Sequence, residues 1–180
     1  MDVFYSYTYG TAAWLGLQAT PLILSPTLIV AMLSPTVREA TPLEVYFSRS
    51  VGLALITLAV LTLLLSGSVP LSSRLSDEVA PTTTNPHDPK APYALPTLTI
   101  TAAHHAATAF YAYAMWTQTG AAAFSLGMLG SSALAAVGLW CVLFASSDGR
   151  ISRKTGADKR TSGWPFGNRE ADRRKGRKRT

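Results

Sequence analysis

Thr97, Thr101, His104, Thr108 and Tyr111 follow one another at intervals of 4, 3, 4 and 3 residues. On an α-helix that spacing sets all five on one face. Hydroxyls and an imidazole in a row can donate and accept hydrogen bonds, and the imidazole can also ligate a metal or a haem iron. They lie within residues 91–147, 57 consecutive positions without Asp, Glu, Lys or Arg. A polar face in such surroundings predicts a seam turned toward other helices. Its functional reading is a polar pocket or ligand site centred on His104, because ionisable groups at membrane depth are functional candidates. Its structural reading is a set of interhelical hydrogen bonds worth ~0.6 kcal/mol each. His105 points about 100° away, beside Ala102 and Ala109.

Other chemistry finds little to build on. Adjacent helical histidines face different directions and do not converge on one ion, and His87 sits far off in a proline-punctuated segment. The apolar stretches hold no carboxylate to complete a metal site. No metal and no cofactor is therefore expected. There is no nucleophile elbow and no glycine-rich phosphate loop, so an enzyme is the less favoured class. Cys141, the one cysteine, reads as a small apolar packing residue.

Two further patterns point to packing and recruitment. Ala123, Gly127, Ser131 and Ala135 place a small residue at every fourth position, which lets helices approach closely. Between Arg160 and Arg169 the run Ser-Gly-Trp-Pro-Phe-Gly sets Trp164 and Phe166 among charges. Two aromatics there form a candidate anchor for a protein partner or the membrane interface.

The elements that carry these residues follow from charge and hydropathy. Only 14% of the chain is charged, against about 25% in an ordinary soluble domain. Residues 3–37 and 50–73 are also free of Asp, Glu, Lys and Arg. A soluble fold must solvate its faces, whereas a helix of roughly 20 apolar residues is at home in lipid. The pattern predicts an all-α polytopic membrane protein, a four-transmembrane-helix bundle over residues 1–148, with spans at about 14–33, 50–69, 95–116 and 121–145. Pro21 and Pro26 predict a kink in the first span. The aromatics Phe4, Tyr5, Tyr7 and Tyr9 ahead of it suit a membrane–water interface. Thr41-Pro42-Leu43-Glu44 predicts a capped helix start. Residues 71–96, with five prolines, read as a loop. The absence of Lys and Arg ahead of the first span predicts a retained anchor rather than a cleaved signal peptide.

Residues 149–180 read as a disordered basic tail. From Arg150 onward there are 12 Lys/Arg against 3 Asp/Glu, whereas residues 1–149 hold 4 against 7. Five of those basic residues closely follow the fourth span and predict a cytosolic tail, hence, with four spans, a cytosolic N-terminus. The expected partners are the lipid bilayer, anionic headgroups at the tail, and other membrane proteins. Nucleic acid is not among them. The final Arg177-Lys178-Arg179-Thr180 resembles the dilysine signals that return membrane proteins to the endoplasmic reticulum, with Arg177 replacing one lysine. That resemblance implies residence there; bacterial or mitochondrial inner membranes satisfy the same charge rule. The leading expectation is a non-enzymatic membrane subunit or scaffold. A small membrane enzyme or lipid-binding protein using the His104 seam, and a subunit of an oligomeric transporter or channel, are the alternatives.

Overall fold

The computed structural model describes residues 3–34, 38–68, 91–147 and 150–151. These form helices α1 (Val3–Leu24), α2 (Pro26–Leu33), α3 (Pro42–Leu65), α4 (Ala91–Thr119) and α5 (Ala122–Phe144), followed by a two-residue antiparallel ladder of Ser146–Ser147 on Arg150–Ile151. Two helices, α3 and α5, are long and apolar enough to cross a membrane. A third span is added if the bent pair α1 and α2 is taken as one. Residues 69–90 and the tail beyond Ile151 lie outside the described residues.

The start of α3 follows the capping chemistry of its sequence. Thr41 accepts from the Glu44 backbone N–H at 3.3 Å, and the Glu44 carboxylate accepts from the Thr41 backbone N–H at 2.8 Å. Each satisfies a donor that the first helical turn leaves free. Arg38 pairs with the same carboxylate. The helix ends at Leu65, and Gly67 turns the chain at φ 68°, where a Cβ would be strained. Gly120 does the same at φ 69° between α4 and α5, and Gly120 and Ala121 alone separate the two helices.

The first expected span, 14–33, is divided differently by the structure. Helix α1 starts at Val3, and the chain breaks at Ser25, where α2 leaves at 103° to α1. At the proline pair the chain therefore turns a corner where a kink is expected. Pro26 opens α2, where its missing N–H is one of the orphans of a helix start. Phe4 and Tyr7, read as interfacial, are instead buried with Thr8, Thr11, Leu15 and Ala19 on one face of α1. That face recurs every three or four residues, as a core-facing helix requires.

Consecutive long helices run antiparallel. Ser48 donates to the Leu22 carbonyl at 3.0 Å, and Tyr9 donates to the Ser68 carbonyl at 2.8 Å, tying α1 to α3 at both ends. Helix α5 lies against α4 along its length, and also contacts α1. Glycines set these approaches. A Cβ on Gly52 would sit 2.6 Å from Ile23 Cγ1 and 3.1 Å from the Ala19 carbonyl oxygen. On Gly138 it would sit 2.8 Å from the Ala102 Cβ and 2.9 Å from the Tyr7 ring. On Gly130 it would meet the Trp14 indole at 2.3 Å. The largest apolar cluster, Phe4, Tyr7, Ala94, Leu98, Cys141, Ala145 and Ile151, fills the end of the molecule where α1 and α4 begin and α5 finishes.

Candidate functional site

The interior of the helices contains a polar layer whose members come from α1, α4 and α5. Helix α4 turns Ala91, Ala94, Leu98, Thr101, His105, Ala109 and Ala112 inward. Small residues above and below His105 leave room for its ring, which is 1% exposed. Its Nε2 shares a hydrogen bond with Thr11 Oγ1 at 3.2 Å. One turn toward the start of both helices, the Tyr7 hydroxyl donates to Thr101 Oγ1 at 2.9 Å. The Thr101 hydroxyl in turn donates to the Thr97 carbonyl at 2.8 Å, so Tyr7 is linked through Thr101 to the α4 backbone. The Tyr7 and His105 rings meet edge to face at 6.4 Å between centroids. Trp14 Nε1 donates to Ser131 Oγ of α5 at 3.3 Å. Among the described residues every buried side-chain nitrogen and oxygen has a hydrogen-bond partner, which is what an apolar surrounding demands.

The predicted seam of α4 is divided by this arrangement. Thr101 is inside. Thr97 and Thr108 are half-buried, His104 is half-buried beside the His105 ring at 5.5 Å, and Tyr111 is 66% exposed. The expectation that the seam as a whole faces the interior, with His104 at its centre, gives way to a buried face centred on His105. The physical reason is that α1 supplies hydroxyls at 7 and 11, four residues apart, and these meet 101 and 105 of a parallel-running α4. The buried residues of α1 recur at Phe4, Tyr7/Thr8, Thr11, Leu15 and Ala19, but aromatic and aliphatic residues also occupy its other faces, so the sequence alone does not single this face out.

The small-residue stripe of α5 is brought together with its own neighbours. Ser131 is fully buried against Trp14. A Cβ on Gly127 would lie 4.0 Å from the Ala112 Cβ of α4, while Ala123 and Ala135 are half-buried. The closest approaches fall at Gly130 and Gly138, which the four-residue stripe does not include. Trp164 and Phe166 lie outside the described residues. Among the described residues no three His, Cys, Asp or Glu side chains gather in a geometry that could hold a metal ion.

A family model described as Domain of unknown function (DUF8792) matches residues 7–179. The chain belongs to this family. The match takes in α3, α4 and α5, all of α1 from Tyr7 onward, and the basic segment that follows Ile151. No curated protein and no solved structure matches the chain.

Proposed function

We propose that the chain is a non-enzymatic integral membrane subunit, with four membrane-crossing helices and a basic tail that recruits partners on the cytosolic side. The observation that carries this reading is the polar layer. Tyr7, Thr11, Thr101 and His105, the groups most capable of chemistry inside the helices, spend their polar atoms on one another across α1 and α4. That is the use expected of hydrogen bonds that hold membrane helices in register.

The geometry also supports four crossings. Helix α5 is apolar enough to span, and α4 is paired antiparallel with it across a two-residue turn. That pairing favours a return of α4 through the same slab. Helix α1 is ~33 Å long at 1.5 Å per residue, the length of a crossing, and is tied to the span α3 near both ends. The outward faces of α3 and α5, with Leu53, Ile56, Val60, Leu126, Leu139 and Leu143 exposed, suit lipid or apolar partner helices. The start of α1, the end of α3, the start of α4 and Ile151 share one end, and the 12 Lys and Arg from Arg150 onward favour that end as the cytosolic one.

Purification from native membranes in mild detergent tests the reading. Full-length protein is expected to bring a stoichiometric partner, and protein ending at Gly149 to lose it. A partner-free full-length protein carrying a bound lipid or a measurable activity would overturn it.

A further inference from the structure

We infer that the flank of α4 bearing His104, Thr108 and Tyr111 is the contact with a second copy of this chain, packed two-fold about an axis along the membrane normal. The inference rests on the proposed crossing of the bilayer by α4 and names a partner for that subunit. Of the six threonines in α4, five donate to a carbonyl of their own helix: Thr97, Thr99, Thr101, Thr117 and Thr119. Thr108 does not, and among the described residues neither it nor His104 nor Tyr111 makes a side-chain hydrogen bond. His104 stands next to the midpoint of a 29-residue helix, so it lies at the depth where an unsatisfied polar group is most costly. Helix α4 is also the long helix that lacks the overall hydropathy to count as a span by itself or as part of a bent pair. Covering this flank with protein resolves both observations.

The spacing says what covers it. On a helical wheel the buried face of α4 is centred on His105, Ala102 packs on Gly138 of α5 to one side, and His104, Thr108 and Tyr111 lie on the opposite flank. Their alternation of 4 and 3 residues continues to Met115 and Gln118. That alternation is the repeat by which two helices stay in contact when they cross at about +20°. The occupant is therefore a helix. A two-fold copy brings each seam position against its own equivalent or a near neighbour. The hydroxyls of Thr108 and Tyr111 and the amide of Gln118 each both donate and accept hydrogen bonds, so the surface is complementary to itself.

The test uses full-length chains carrying two different epitope tags, co-expressed in membranes. Thr108→Cys places a thiol in the seam, and Phe110→Cys places one on the other outward side of the same helix, where Phe110 is 75% exposed. Mild oxidation is expected to give a disulfide-linked species carrying both tags for Thr108→Cys. The Phe110→Cys chain and the parent chain, whose Cys141 is buried, are expected to stay monomeric. Monomer in all three, or equal linking at 108 and 110, overturns the dimer. A Thr108→Cys adduct with a different protein also overturns it while leaving the membrane-subunit reading standing. Accessibility tags in the 69–90 segment and at Gly120 separate the two failures: if both report from the same side, α4 does not cross and the larger reading falls as well.

Discussion

At the scale of single residues, the two adjacent histidines have opposite duties. His105 is enclosed and bonded to Thr11, whereas His104 is half-buried on the flank. His105→Ala removes a ring from a packed interior and strands the Thr11 hydroxyl, so the melting temperature in mild detergent is expected to fall clearly. His104→Ala is expected to leave the monomer's melting temperature nearly unchanged. Equal effects would contradict the assignment of the interior face. Tyr7→Phe keeps the ring and deletes one interhelical bond, for an expected loss of about 0.6 kcal/mol. Gly138→Val forces a side chain into the space held by the Ala102 methyl and the Tyr7 ring, and should cost about 1–3 kcal/mol, read as a lowered yield of folded protein. The sequence shows that α4 has a polar face at 4,3 spacing. It does not show which of two overlapping faces is inside, because that depends on α1, some 94 positions away along the chain from both Thr101 and His105.

At the scale of elements, local signals translated well wherever they were local. The Thr41–Glu44 box and the bounds of α5 are legible because the residues that satisfy a helix end are its own neighbours in sequence. Thr41→Ala should remove the cap and destabilise the start of α3 by about 1 kcal/mol, seen as faster amide exchange in its first turn. The first element was less legible. Hydropathy rises only after Trp14, so a hydropathy reading starts the helix there, while the buried face that recurs from Phe4 belongs to a helix beginning at Val3. The corner at Ser25 is likewise a tertiary outcome. Pro21 and Pro26 permit it, but the contacts of α2 with α3 and α5 fix its direction.

At the scale of the whole molecule, alternating helix direction sorts the chain into two ends. One holds the beginning of α1, the 66–68 turn and the exit at Ile151; the other holds Arg38, the capping box and the Gly120 turn. Impermeant labelling of single cysteines at Ser68 and Ser146 is expected to report one side of the membrane, and labelling at Thr41 and Ala121 the other. A mixed pattern would show that α3, α4 or α5 does not cross. Charge says nothing of the packing that produces these ends: Arg38 and Arg49 of one loop are matched by Arg74 and Lys90 of the next, and only the basic count beyond Gly149 distinguishes a side.

The short ladder after α5 has a mechanical consequence. Ile151 is pinned in the cluster with Phe4 and Leu98, so the segment beyond it is moored at a fixed point rather than paid out from the last helix. Trp164 is 13 residues further along and can therefore stand no more than ~45 Å from that mooring, even at full stretch. Any protein held by Trp164 is kept on a leash of roughly one bilayer thickness, at an effective concentration of order millimolar near the membrane surface. On the proposed recruitment of a partner by the tail, weak binding then suffices, and Ile151→Asp, by slipping the mooring, should loosen the capture without touching a single residue of the proposed anchor.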